Sequence, residues 1–205
     1  MGRRNDHSRD ELKEMVIVAA EKILVEEGYG KLTTRRIAKE IGYTVGSLYM
    51  VIKNVDDLML LLNARTLQLL LEKIEVDLAK GANLKPYDAL MQIAVSYVDF
   101  AFEHKEKWQA IFMHRVTDSE LLTEEYFNHI RNLFRVIGHQ LSLLAPKLNK
   151  EELELLTRGL WGAVHGVTIL SLDQKFSIGS PMEYDTKRVV EGVVSNALYG
   201  IQNRS

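Results

Sequence analysis

The sequence predicts an all-α protein of about nine helices. Apolar residues recur at three- and four-residue spacing along nearly the whole chain, and no segment sustains the alternation of apolar and polar residues that marks a strand. Glycines and prolines separate the periodic segments. At 205 residues the chain has room for a small and a medium domain. We expect a three-helix domain in residues 1–54 and a larger helical bundle in residues 55–205.

Capping residues place the first three helices. The first begins after Ser8 and ends at Gly28, with apolar residues on one face between them. The second lies between Thr33 and Gly42 and has only about two turns, too few to be stable alone. The third is predicted over residues 44–51. Two short helices joined by a glycine-containing turn form a helix-turn-helix pattern over about residues 33–52.

This pattern predicts a DNA-binding surface. The second helix of such a motif lies in the major groove, and small residues at its start let the backbone approach the bases. Residues 44–47 are small and include two hydroxyls, while a tyrosine, a lysine and an arginine nearby reach toward phosphates. The candidate DNA-contacting residues are Arg35, Thr44, Val45, Gly46, Ser47, Tyr49 and Lys53. The same spacing also fits a helical hairpin whose glycines only cap helices.

The segment "LTTRRIAKEIGYTVGSLYMVIKNVDDL" resembles the N-terminal domain of TetR-type transcriptional repressors. In that family the third helix and the following turn commonly read close to "GVSKGTLYYHFKSKEEL". The resemblance implies that the third helix reads bases, that Tyr49 and Lys53 contact phosphates, and that a C-terminal domain binds a ligand and dimerises. Val45 stands where the family often has lysine, and Val51 where it often has histidine. We therefore assign Val51 no DNA contact, and expect residues 50–52 to form the apolar inner side and exit of the helix.

Aromatic residues in the central helices are candidates for an effector site. Most aromatic residues in a helical bundle of this size belong to the core, so each one also fits a purely structural role. His165 fits a ligand contact, a neutral core histidine or an interface residue. The candidate ligand-binding residues are Phe100, Trp108, Phe112, Tyr126, Trp161 and His165. The sequence does not name the small-molecule effector.

Two C-terminal segments predict a homodimer. The segment "RGLWGAVHGVTIL" carries three glycines in one helix, which is most tolerable where another backbone packs close. It also resembles the Trp-His-Gly signature of one TetR-family C-terminal subclass. The last helix has an apolar stripe, and the two helices could form half of a four-helix bundle across a two-fold axis. The candidate interface residues are Gly162, Gly166, Val190, Val194, Ala197 and Ile201.

Other function classes have little support in the sequence. The six histidines show no metal-ligand spacing, there is no cysteine, and no nucleotide-binding or hydrolase motif occurs. We expect no enzyme activity, no metal, no cofactor, no membrane span and a cytoplasmic location. The predicted function is a homodimeric repressor that leaves a pseudo-palindromic double-stranded operator when a small molecule binds. The alternatives are a helical dimeric adaptor without specific DNA binding and a helical-bundle enzyme.

Overall fold

A computed structural model describes residues 7–81, 83–116, 119–180 and 182–203. These residues form nine α-helices and no strand, as the sequence predicts. The helices are α1 (Arg9–Glu27), α2 (Thr34–Ile41), α3 (Val45–Leu48), α4 (Val55–Lys80), α5 (Pro86–Glu103), α6 (Lys105–Met113), α7 (Glu124–Leu144), α8 (Lys150–Leu172) and α9 (Thr186–Gln202). Short 3₁₀ helices occur at Tyr29–Lys31, Ser119–Leu121 and Lys175–Ser177.

The chain divides into two compact units. Unit 1 comprises Met1–Thr66 and Glu106–Phe127, and unit 2 comprises Leu67–Lys105 and Asn128–Ser205. Unit 1 therefore holds the start of α4 and nearly all of α6 in addition to the three N-terminal helices. The domain boundary expected between residues 54 and 55 stays a prediction.

Local capping explains where the helices of unit 1 begin. Ser8 forms a capping box with Glu11: the Glu11 backbone N–H donates to Ser8 Oγ at 3.2 Å, and the Ser8 N–H donates to a Glu11 carboxylate oxygen at 2.6 Å. Thr33 Oγ1 accepts from the Arg36 N–H at 3.2 Å and starts α2. Asn54 Oδ1 accepts from the Asp57 N–H at 2.8 Å and starts α4. Each cap satisfies a backbone donor that the first turn of a helix leaves without a partner.

A continuous apolar core holds α1, α2 and α3 together. The buried faces of α1 and α2 meet Leu48 of α3 and the residues that follow it. Leu58, Met59 and Leu62 of α4 and Ala110 of α6 belong to the same core. Because α2 and α3 are too short to be stable alone, this packing is what fixes their positions.

Unit 2 is built on α5, α8 and α9. Helix α9 packs against α5 and α8, and its buried residues Val190, Val194 and Leu198 lie in that core. The Tyr87 hydroxyl of α5 donates to Ser195 Oγ of α9 at 2.9 Å. Lys187 of α9 forms an ion pair with Asp99 of α5 at 2.6 Å. These contacts set α9 firmly against its own chain.

Candidate functional site

The predicted DNA-reading surface lies in unit 1 around α3. Gly42 ends α2 in the left-handed region, with φ 72° and ψ 25°, and its N–H donates to the Ala38 carbonyl. A non-glycine residue rarely adopts this conformation, so Gly42 makes the turn between the two helices possible. Tyr43 completes the turn, and Thr44 caps α3.

Helix α3 is shorter than the sequence predicts. The predicted helix covers residues 44–51, whereas α3 comprises Val45–Leu48 and is followed by turns. After one turn the chain must bring Val51 and Ile52 into the core of unit 1, where both are buried. Turn-type hydrogen bonds continue after Leu48 as far as Ile52, whose N–H donates to the Leu48 carbonyl at 3.0 Å.

The two hydroxyls at the start of α3 bond to each other. Thr44 Oγ1 accepts from the Ser47 backbone N–H at 3.2 Å and lies 3.0 Å from Ser47 Oγ. One hydroxyl proton is therefore used between the two side chains, and the other can still be donated outward. Thr44 and Gly46 are exposed, whereas Val45 is half-buried and packs partly against the core of unit 1. The outward edge of α3 is thus polar and small.

The cationic and aromatic candidates are exposed. Tyr49 has 52% of its surface accessible, and Arg35 and Lys53 are also exposed. The structure records no ion pair for Arg35 or Lys53 among the described residues. Both charges are therefore available to phosphates, which is the chemistry that the sequence predicts for them.

Arg36, the neighbour of Arg35, has a different role. Its guanidinium donates to Glu27 of α1 at 2.6 Å and to Glu40 of α2 at 2.7 Å. These hydrogen bonds, to Glu27 first and Glu40 second, raise the pKa of Arg36. Lys22 of α1 also bonds Glu40 at 2.6 Å, and Lys22 and then Arg36 lower the pKa of the Glu40 carboxyl. This charged cluster ties α1 to α2, and sequence spacing gave no sign of it.

The apolar residues after α3 are not all on the inner side. Val51 and Ile52 are buried as expected, but Met50 keeps 54% of its surface accessible. The expectation is wrong for Met50, which lies on the exposed side of the turns that carry Val51 and Ile52 into the core. Met50 and its neighbour Tyr49 are both exposed, so Met50 adds apolar surface next to the tyrosine.

Three of the effector candidates lie in unit 1. Trp108 is fully buried, and its ring packs on Phe112 with the centroids 4.9 Å apart. Phe112 is partly exposed and Tyr126 is half-buried. Burial raises the pKa of the Tyr126 phenol, and the side chain of Asn63 lowers it by a smaller amount. Asn63 of α4 therefore lies beside the Tyr126 hydroxyl.

The other three effector candidates, Phe100, Trp161 and His165, lie in unit 2. Phe100 is a core residue. His165 is half-buried, stacks on Trp161 with centroids 5.3 Å apart at 24°, and its Nδ1 lies 2.9 Å from the Tyr97 hydroxyl. Burial lowers the pKa of the His165 imidazole, which favours its neutral form. Tyr97 is the partner that sequence analysis missed, because nothing in the spacing links α5 to α8.

The predicted dimer residues need a correction. Val190, Val194 and Ile201 are buried inside unit 2 by the chain's own helices, so they offer no surface to a second subunit. The apolar stripe of α9 faces the chain's own core. The glycines of α8 differ: a Cβ added at Gly162 or Gly166 would meet nothing within 4 Å. Ala197 is half-buried.

The described residues form no metal cluster and include one helix of membrane-spanning length. No group of three or more His, Asp or Glu side chains there is placed to hold a metal ion. Helix α8 is long and apolar enough to cross a membrane by length and composition, but a core helix of a soluble protein has the same properties.

Family comparison decides the class of protein. Residues 16–51 match the family model described as bacterial regulatory proteins, tetR family. Residues 90–196 match the model described as Tetracyclin repressor-like, C-terminal domain. The chain belongs to the TetR family. This confirms the resemblance that the helix-turn-helix residues indicated, while the Trp-His-Gly subclass stays a prediction.

Individual relatives of this TetR-family chain include a fatty acid regulator. The chain is 30% identical over 76 residues to the "Fatty acid metabolism regulator protein" of Bacillus subtilis (strain 168), a match that covers 37% of this chain and 39% of that protein. The chain thus matches well under half the length of this curated relative.

Solved structures share the fold. A protein of unknown function from Rhodococcus sp. RHA1 superposes with a TM-score of 0.75 at 16% identity, covering 98% of this chain and 100% of that one. The transcriptional regulator FadR from Bacillus subtilis in complex with stearoyl-CoA gives a TM-score of 0.68 at 16% identity, covering 92% and 98%. At such identities the likeness shows the fold alone.

Proposed function

We propose that this TetR-family chain is a homodimeric, cytoplasmic transcriptional repressor that binds a pseudo-palindromic operator and is released by a small molecule. One observation carries the DNA-binding part. Thr44, Gly46, Tyr49, Lys53 and Arg35 are all exposed, in or directly after the helix-turn-helix of unit 1. Small polar groups at the start of α3 suit base edges, and the tyrosine and two cations suit phosphates.

A random-library selection tests this proposal directly. The purified chain is incubated with random double-stranded DNA at moderate salt, and bound sequences are amplified and sequenced. We expect a recovered motif with two related half-sites about one helical turn apart. A helical adaptor would recover no motif, and that result would refute the repressor.

Helix α8 supports the dimer through its exposed surface. Along α8, Leu155, Gly159, Gly162, Gly166 and Leu170 recur at three- and four-residue spacing and form one stripe. Leu155 is 67% accessible, and added Cβ atoms at the three glycines would meet nothing in the chain. Each glycine costs about 1 kcal/mol relative to alanine in a helix interior. A partner backbone packed on this stripe would account for that cost.

Sedimentation of a glycine variant tests the dimer. Gly162→Met adds a side chain where the chain itself leaves space, so the fold should be unchanged by circular dichroism. The dissociation constant of the Gly162→Met dimer should be at least tenfold higher than that of the native dimer. Leu155→Gln, at the end of the same stripe, should weaken the dimer less. A monomeric native chain, or a Gly162→Met dimer of unchanged affinity, would overturn the assignment.

The effector is proposed to be a small amphipathic molecule with an apolar chain. The matched regulator of fatty acid metabolism supports an acyl compound, and stearoyl-CoA, the compound bound in the FadR structure, serves as the probe. Release of labelled operator during titration with stearoyl-CoA and with free coenzyme A tests this. We expect release by the acylated compound only.

A further inference from the structure

A buried amide in unit 1 makes no hydrogen bond of ordinary geometry within the described part of the chain. Asn63 lies in α4 within an otherwise apolar run and is only 1% accessible. Neither its Nδ2 nor its Oδ1 has a hydrogen-bond partner within 3.5 Å among the described residues, although the Tyr126 phenol lies near enough for Asn63 to lower its pKa. Buried amides without hydrogen bonds are costly and rare in native proteins. The sequence showed Asn63 only as a polar interruption, and burial makes it a candidate for recognition.

The Tyr126 phenol lies next to this amide. Burial raises the pKa of Tyr126, and Asn63 partly opposes that effect. The phenol therefore stays neutral at physiological pH and provides a second uncharged polar group from the start of α7. Together the two side chains offer hydrogen-bond donors and acceptors but no charge.

A second buried nitrogen lies on the same face of α4. Asp56 and Asn63 are seven residues apart, which places them on one face about 10 Å apart along the helix axis. His114 Nε2 lies 3.1 Å from Asp56 Oδ1, and its buried Nδ1 has no hydrogen bond to a described residue. Nδ1 is an acceptor in the neutral tautomer that donates from Nε2 and a donor when the imidazole is protonated. The Asn63 amide and the Nδ1 of His114 are thus two separate polar groups along this face of α4 without a hydrogen bond of ordinary geometry to a described residue.

We infer that Asn63 is the polar recognition residue of an effector site in unit 1, and that the effector places there an uncharged group with both a donor and an acceptor, such as a carboxamide. This inference rests on the proposed effector response. A carboxamide complements both ends of the Asn63 side chain, whereas a carboxylate would bring an uncompensated charge to neutral groups. Tyr126 offers a second uncharged polar group from α7.

Paired probes test the inference on the full chain. Octanamide offers a donor and an acceptor, and nonan-2-one has the same shape with a methyl group in place of the NH₂. We expect calorimetric titration to show at least tenfold tighter binding of octanamide by the native chain. In Asn63→Leu, which keeps a similar volume, the two probes should bind within twofold of each other.

A neighbouring residue on the same helix provides the control. Thr66 is also buried, but its hydroxyl already donates to the Leu62 carbonyl at 2.9 Å. Thr66→Val should therefore keep the preference for octanamide. Thermal unfolding shows whether each variant folds, and Asn63→Asp provides a second test if Asn63→Leu does not fold. Asn63→Asp should bind octanamide at least tenfold more weakly than the native chain.

The outcomes are separable. The inference would be overturned if the native chain failed to bind octanamide. It would also be overturned if the native and Asn63→Leu chains preferred octanamide over nonan-2-one equally, because an ordered water would then satisfy the amide. A folded Asn63→Asp chain with native octanamide affinity would also overturn it. If octanamide binds through Asn63 but the library selection recovers no motif, the repressor proposal fails while the binding site stands.

Discussion

Replacing Gly46 with alanine should separate the stability of the reading helix from its contact with DNA. A Cβ at Gly46 would lie 3.7 Å from Thr44 Oγ1, which is an ordinary van der Waals distance. No backbone strain opposes the change, since Gly46 is helical. Alanine loses less conformational entropy than glycine on folding, so Gly46→Ala should raise the free energy of unfolding by about 0.5–1 kcal/mol.

Gly42→Ala is the matched control. Space is also open there, but φ is +72°. A left-handed conformation costs a non-glycine residue about 1–2 kcal/mol, so this variant should be destabilised. The two glycines, four residues apart, should therefore respond with opposite signs in urea-induced unfolding.

Binding should respond differently from stability. If the Gly46 backbone approaches the bases, a methyl group there removes a contact worth about 1–3 kcal/mol per half-site. Fluorescence anisotropy with the selected operator should then show at least a fivefold weaker affinity for the more stable Gly46→Ala chain. If Gly46→Ala bound the operator with unchanged affinity, close approach of the Gly46 backbone to the bases would be refuted. If Gly46→Ala were destabilised as much as Gly42→Ala, the conclusion that a Cβ fits at Gly46 without strain would be refuted.

Three further predictions concern charge. Lys53→Ala should weaken binding to specific and unrelated DNA alike and reduce the salt slope by about one per subunit; a changed sequence preference would contradict a phosphate role. Arg36→Ala should lower the urea midpoint, because it breaks the bonds to Glu27 and Glu40, while leaving the preferred DNA sequence unchanged; an unchanged midpoint would show that the cluster adds no stability. Burial lowers the pKa of the His165 imidazole from its ordinary value of 6.5. On acidification the imidazole is therefore protonated in the unfolded chain before it is protonated in the folded chain, so the free energy of unfolding should fall as the pH drops below about 6.5. In His165→Asn, this part of the pH dependence of unfolding should disappear, and an unchanged pH profile would refute it.

Much of unit 1 could be predicted because its signals are local. Ser8, Thr33 and Asn54 cap helices through groups within four residues of them, and Gly42 makes a turn that depends on its own backbone. Such features depend on short-range chemistry that the order of residues displays directly. The exposed reading edge follows from the same local pattern.

The direction of apolar stripes could not be predicted in the same way. The stripe of α9 fits a dimer interface and a chain core equally well, and the structure assigns it to the core because α5 and α8 already cover it. The burial of Val51 and Ile52 after α3 likewise depends on contacts with the other helices of unit 1. Periodicity identifies an apolar face but not what covers it.

The sequence by itself determined that this protein is helical, that it carries a helix-turn-helix, and which family it resembles, because spacing and capping encode these features locally. Tertiary structure alone decided that Arg36 braces α1 against α2 while Arg35 stays exposed. It also decided that Asn63 is buried beside Tyr126. Both depend on residues far apart in the chain meeting in space, and a buried polar group becomes informative only when its surroundings are known.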